Sequence, residues 1–176
     1  IMGYGLVPSS DYQMSQLAEG DAIAQTVTYS TQLFTSQNLF VVYATSGGNH
    51  YAFDGNGNAV AITIDANGNI YADVEDPDSL LWSFTSSGNN AYLIQNAATG
   101  RYMHAYPNNG TGVTTSGAYT STLITSGSGV KIRSNSEYAR LDTGSGKFVM
   151  TQNVNSAASY MFGINGSCAV WLDGTN

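Results

Sequence analysis

The sequence predicts an all-β fold. Short runs rich in Val, Ile, Leu, Thr, Tyr and Phe recur along the chain, Gly, Asn, Asp and Ser separate them, and helical spacing of apolar residues is scarce. In order, the clearest strands are "NLFVVYAT", "AVAITI", "NIYADV", "LLWSF", "AYLIQN", "RYMHAY", "GVKIRS", "YARLD", "KFVMTQ" and "SYMFGI". Asn67-Gly68, inside "DANGN", is a hairpin dipeptide because both residues accept a positive φ. One segment has helical character: in "SDYQMSQLAEGDAIAQ", Ser10 or Asp11 can cap a short turn, although Tyr12, Met14, Leu17 and Ala18 do not share one helix face. Strands this short and this numerous need a sandwich or a closed barrel, since one open sheet would leave an apolar face and two edges in water.

The length of 176 residues fits one domain. Hydrophobic residues, at 42%, suffice for a core. Charged residues make up 10%, against about a quarter in ordinary soluble domains, so Asn, Ser, Thr, Gly and Gln must carry the surface. Five Lys and Arg against 12 Asp and Glu leave a net charge of −7. That balance argues against nucleic acid, whose binding needs cations to displace counterions from phosphates, and against an anionic membrane surface. A neutral polar partner such as a glycan suits the surface better. No apolar run approaches the ~18 residues of a membrane-spanning helix.

Cys168 is the only cysteine, so no intrachain disulfide forms, and "NGSCAVWLDG" offers no His or Asp arrangement that would activate it; a packed thiol is expected. The start, "IMGYGLVPSS", lacks the order of a signal peptide, and "VWLDGTN" ends without a terminating feature. A fragment of a longer multidomain chain is therefore expected. The low charge, abundant Thr, Ser, Asn and Tyr, and single Cys have the composition of secreted surface proteins, which places the expected location outside the cell or on its surface.

The strands also repeat. "FVVYATSGGNHYAFDG", "AYLIQNAATGRYMHAY" and "GVKIRSNSEYARLDTG" share an apolar strand, a small polar loop and a Tyr-led strand, aligned on Val42, Leu93 and Ile132 and on Tyr51, Tyr102 and Tyr138. Each is followed by a turn and a further strand ("GNAVAI", "GTGVTT", "SGKFVM"), then by an apolar closing strand ("LLWSF", "STLITS", "SYMFGI"). One such unit cannot bury its own apolar face, whereas three together close a barrel. The plan resembles a β-trefoil: three four-stranded repeats about a pseudo-threefold barrel, here over residues 38–164. Residues 1–37 are then an N-terminal extension or linker, and 165–176 a C-terminal extension or the start of a linker. Trp82, Leu123 and Phe162 become equivalent core residues on the closing strands.

The stretch 52–84 admits two readings. "DGNGNAVAITID" staggers Asp54, Asn56, Asn58 and Asp65 like the ligands of an EF-hand loop. Against this, Ala59 stands where the sharp turn wants Gly, and Val60, Ile62 and Ile64 alternate as in a strand, which cannot wrap an ion; no metal site is expected. The second reading rests on "NGNAVAI" followed by "LLWSF", and on "YLIQNAATGRYMHA" in the next unit. Together these resemble the ricin-type β-trefoil lectins. That resemblance implies shallow sugar pockets, one per unit, and no cofactor. This chain departs from the family pattern at Leu80, where a Gln is usual, and near Ala61 and Thr63, where a Gln and a stacking aromatic are expected.

Sugar recognition needs an amide or carboxylate for paired hydroxyls and a ring for the apolar sugar face. Asp54, Asn56 and Tyr71 are the candidates in the first unit. In the second, "YMHAYPNNG" supplies His104, Tyr106, Asn108 and Asn109, the richest cluster. Asp142, Lys147 and Asn153 are the candidates in the third. The competing explanation for each is turn chemistry, in which Asp and Asn are default residues. His50 and His104 are read as occupying corresponding strand starts, a mark of repetition more than of catalysis. No Ser, His and carboxylate cluster or phosphate-cradling loop is apparent. The expected function is a non-catalytic carbohydrate-binding module that recognises a glycan or cell-surface glycoprotein; the alternative is a protein-binding adhesin or structural spacer domain.

Overall fold

The computed structural model describes residues 21–104 and 119–165. Within them lie strands β1 (Ala24–Val27), β2 (Phe40–Ser46), β3 (Asn49–Phe53), β4 (Ala59–Ile64), β5 (Asn69–Tyr71), β6 (Trp82–Gly88), β7 (Ala91–Asn96), β8 (Ser121–Ser126), β9 (Gly129–Ser134), β10 (Glu137–Asp142), β11 (Lys147–Thr151) and β12 (Met161–Ile164). The only helical elements among the described residues are short 3₁₀ turns.

Antiparallel pairing closes β2, β6, β7, β8, β9 and β12 into a barrel. The last seam is the bridge between Val130 and Tyr160, whose backbones exchange hydrogen bonds of 3.0 and 2.7 Å. Inward-facing residues alternate along each strand: Phe40 and Val42, Trp82 and Phe84, Tyr92 and Ile94, Val130 and Ile132, with Leu123 and Phe162 from the remaining two. Trp82, Leu123 and Phe162 are all buried in this core, as the repeat alignment expects. Leu93 is not. Tyr92 and Ile94 point inward, and with a side-chain period of two Leu93 must face outward, so Ile94 is the partner of Val42 and Ile132.

Two hairpins project from the barrel, β3–β4 and β10–β11. Phe53 and Phe148, one from each, stack with centroids 4.2 Å apart and planes 4° from parallel. Trp82 crosses Phe53 edge-on, and its indole N–H donates to the Phe53 carbonyl at 2.9 Å. From the middle unit, Tyr102 bridges Gln95 and the Met103 N–H donates to the Ile94 carbonyl at 2.8 Å, while "GTGVTT" lies outside the described residues.

A second closed ring shares strands with the first. β2, β12, β1, β5, β4 and β3 pair in that cyclic order. Inside it sit Ile23, Ala24, Val41, Tyr43, Ala52, Ile62, Ile70, Leu80 and Leu81. Strand β2 divides its side chains between the two cores: Phe40, Val42 and Ala44 enter one, Val41 and Tyr43 the other. This is why "FVVYA" is apolar without interruption, as a strand covered on both faces must be. At Gly163, on β12 between β1 and β2, an added Cβ would run into the Ile70 side chain.

The described part of the upstream segment, 21–37, is built into the fold. Strand β1 pairs with both β12 and β5. Ala24 and Gln25, at the end of the helix candidate, are therefore extended, because two ladders of hydrogen bonds outweigh a weak local preference; residues Ser10–Gly20 of that candidate lie outside the described residues. Beyond β1, Ser30 caps the 3₁₀ turn Thr31–Leu33, and Tyr29, Leu33 and Phe34 pack on the first core. At the other end, Asn165 ties the chain back, its N–H bonding the Leu39 carbonyl at 2.8 Å and its amide the Ile23 carbonyl at 2.6 Å. Cys168 is outside the described residues.

Candidate functional site

The calcium-like spacing resolves into two copies of one turn, Asp-x-Asn-Gly-Asn, at either end of β4. In the first, Asp54 Oδ1 accepts the backbone N–H groups of Asn56 and Asn58, both at 2.8 Å, and Oδ2 accepts the Asn58 amide at 3.1 Å. In the second, Asp65 Oδ1 accepts from the Asn67 and Asn69 backbones at 2.9 Å, and Oδ2 from the Asn69 amide at 3.2 Å. The glycine before the last Asn has a positive φ in each, 86° at Gly57 and 85° at Gly68. The Asn69 backbone hydrogen bond is the main reason that the Asp65 carboxyl lies below the usual carboxylate range. Both carboxylates thus serve their own turns, and among the described residues no group of three or more His, Cys, Asp or Glu is placed to hold a metal.

The first turn is also a junction. Asn56 Oδ1 accepts from Arg101 Nη1 at 2.8 Å, Asn58 Oδ1 from Lys147 Nζ at 3.3 Å, and the Gly57 carbonyl from the Phe148 N–H at 2.8 Å. Asn56, Gly57 and Asn58 therefore tie hairpin β3–β4 to Arg101 and to β11. Tyr71 is at the opposite end of β4, opposite Thr63, with its hydroxyl 3.5 Å from Asp65 Oδ2. The structure does not bring the three candidates of the first unit together.

In the third unit, Asp142 accepts the Gly144 N–H at 3.1 Å and the Ser145 hydroxyl at 2.9 Å, and it faces Arg140 at 4.0 Å. The Ser145 bond is the chief cause of its lowered pKa. Asn153 caps the 3₁₀ turn Val154–Ser156, and Lys147 reaches Asn58. These are the roles that turn chemistry assigns to such residues.

The second unit differs. His104 is buried at 6% exposure, and its ring stacks on Tyr119 with centroids 4.9 Å apart and planes 18° from parallel. Its Nδ1 is 3.0 Å from the Thr120 carbonyl, which can only accept, so Nδ1 carries the hydrogen. Burial lowers the His104 pKa and keeps the imidazole neutral at pH 7. Tyr119 is 41% exposed, one of two large apolar side chains so exposed among the described residues. The pair borders a cavity of about 420 Å³ whose described lining also includes Thr120, Thr122, Arg133 and Asn135. Arg133 Nε donates to the Asn135 carbonyl at 2.7 Å, which fixes the guanidinium at the cavity edge. A second cavity of about 430 Å³, lined by Thr45, Ser46, Ser128, Ser159 and Met161 among others, has neither ring nor charge among its described residues.

Tyr106, Asn108 and Asn109 lie outside the described residues. Thr122 and Arg133 reach the cavity because β8 and β9 pair there, Thr122 opposite Arg133, and they belong to different repeats. Tyr119 carries the one readable signal, an aromatic between "SGA" and "TST" just before a closing strand. The histidines are not equivalent. With Ile94 in the place of Val42, Met103, whose N–H bonds the Ile94 carbonyl, takes the place of the core residue Phe53, and His104 follows it outside the core, while His50 bonds Thr45 Oγ1 through Nδ1 at 2.8 Å on the rim of the second ring.

No protein-family model matches the chain, and no curated protein resembles it in sequence. Solved structures do resemble it in fold. One is the endo-β-galactosidase from Clostridium perfringens that releases GlcNAcα1-4Gal, with a TM-score of 0.50 and 12% identity over 71% of this chain and 32% of that one. A lectin of Polyporus squamosus, solved with the epitope Neu5Acα2-6Galβ1-4GlcNAc, gives 0.48 and 21% over 74% of this chain and 49% of that one. The designed threefold-symmetric protein ThreeFoil gives 0.44 and 13% over 70% and 97%. The chain thus spans about half the length of the lectin and a third of the galactosidase. At these identities the likeness is one of fold alone. Among the described residues, no helix is long and apolar enough to cross a membrane.

Proposed function

We propose that the barrel is a ricin-type-like β-trefoil and that the chain is a non-catalytic carbohydrate-binding module of a larger secreted or cell-surface protein. The trefoil proper covers 38–164, with 21–37 docked onto it. Two features support the trefoil: the described hairpins β3–β4 and β10–β11 follow barrel strands β2 and β9 at like places, and the core residues Trp82, Leu123 and Phe162 match. The observation that carries glycan binding is the exposed Tyr119 ring, backed by neutral His104 and bordered by the polar groups of Thr120, Thr122 and Asn135. Such a ring covers the apolar face of a pyranose while hydroxyls and amides take its hydroxyl groups. Single-site affinity is modest for a site this open, and attachment to a larger chain or a cell raises it by avidity.

Glycan-array binding of the intact chain tests the reading, with Tyr119→Ala and His104→Ala as controls. Binding that both changes abolish is expected. Absence of binding to any glycan, or binding that Tyr119→Ala leaves intact, would favour an adhesin or spacer with a protein partner.

A further inference from the structure

Resting on that reading, the geometry points to a particular class of sugar: we propose that the cavity between β8 and β9 recognises an acidic saccharide, with Arg133 taking the carboxylate of a uronic or related sugar acid while Tyr119 covers the ring.

The inference starts from the cations. The sequence holds five Lys and Arg, and four of them engage groups elsewhere. Arg101 bonds Asn56 Oδ1, Lys131 the Val154 carbonyl at 2.7 Å, Lys147 Asn58 Oδ1, and Arg140 faces Asp142. Arg133 makes no ion pair among the described residues. Its Nε is spent on the Asn135 carbonyl, which orients the planar guanidinium and leaves the two terminal amino groups for a ligand. A fork of two parallel N–H donors matches a carboxylate in bidentate geometry, and fixing it in advance reduces the entropy lost on binding. Among the described residues the cavity lining includes no Asp or Glu. Among the described residues only Arg140 of the five cations faces a carboxylate, and Arg133 is distinguished from the other three by its place in the cavity beside Tyr119.

The net charge of −7 opposes an anion at long range, but charges beyond a Debye length of about 8 Å at physiological salt are largely screened. Contact with Arg133 therefore outweighs the overall field. His104 stays neutral, so Arg133 is the single cation of the cavity and the residue on which discrimination depends.

The test is isothermal calorimetry on the intact chain, comparing oligogalacturonate with the same oligosaccharide reduced to neutral galactose units, and a sulfated galactan as a further probe. Wild type is expected to bind the carboxylated ligand at least about tenfold more tightly than the neutral one, the scale of one charge-assisted pair. Arg133→Gln should erase that preference, so that acidic and neutral ligands bind alike, and Arg133→Lys should restore part of it. Equal binding of acidic and neutral ligands by wild type overturns the inference and leaves glycan binding standing. A preference that survives in Arg133→Gln also overturns it. Tighter binding of the sulfated probe than the carboxylated one would move the site to sulfated sugars and refute the carboxylate assignment. If none of the three ligands binds and the glycan array is also blank, the underlying glycan reading falls instead.

Discussion

The ring of Phe34 lies flat on that of Phe84, their centroids 4.2 Å apart and their planes 6° from parallel. Phe84 belongs to the barrel; Phe34 comes from the chain that precedes it. Phe34 also meets Phe40, Tyr92 and Phe162 edge-on, and Tyr29 stacks on Phe162. The segment upstream of β2 thus covers the barrel mouth with aromatic rings. Phe34→Ala is expected to cost about 3 kcal/mol, the low end for a Phe-to-Ala change because the ring is only partly buried. Urea unfolding measures this. A loss below about 1 kcal/mol would mean that the mouth is closed without Phe34.

Trp82 joins core packing to a buried hydrogen bond with the Phe53 carbonyl, and its exposure is 0%. Trp82→Ala should cost roughly 3–5 kcal/mol. Trp82→Phe, which keeps a ring but strands that carbonyl, should cost about 1–3 kcal/mol. A near-neutral alanine variant in thermal denaturation would contradict the closing-strand role.

Tyr160 is fully buried beside Phe53 and Phe148, and its hydroxyl has no hydrogen-bond partner among the described residues. Burial pushes its pKa well above the ordinary phenol value, so it stays neutral. Removing an unsatisfied hydroxyl relieves a desolvation cost, and Tyr160→Phe should leave stability unchanged or raise it by about 1 kcal/mol. A clear loss in the same assay would show that the hydroxyl has a partner.

Asp65 is held in its ionised form by the turn that it nucleates. Its folded pKa is depressed, so its contribution is present above the unfolded value of about 3.9 and is lost as pH falls through the folded one. Asp65→Asn should therefore lower the melting temperature at pH 7, and the gap from wild type should narrow below about pH 4. A gap that is constant across that range would show that the turn does not depend on the charge.

What was legible in the sequence depended on the range of the interactions concerned. The strands, the Asn67-Gly68 turn and the burial of Trp82 follow from local alternation and turn residues, which act over a few positions. The twin Asp-x-Asn-Gly-Asn turns are local too: Ala59 and the strand alternation already argue against a calcium loop, and the structure adds the backbone N–H groups that each carboxylate accepts. Leu93 was misplaced by one residue because a strand apolar on successive positions does not declare its inward face. Of the described residues lining the candidate cavity, His104 alone is a site candidate in the sequence.

The amino-acid sequence by itself determined that this protein is all β, poor in charge, and assembled from strands too short and too apolar to stand alone. Only the tertiary structure decided that β1 completes a second ring, that Phe34 covers the barrel, and that Arg133 shares a cavity with Tyr119. The physical reason is that hydrophobic periodicity fixes which way a side chain faces, whereas strand pairing fixes which distant side chain it faces. Thr122 and Arg133 meet through a register, and Phe34 and Phe84 through the packing of two segments, neither of which the local pattern encodes.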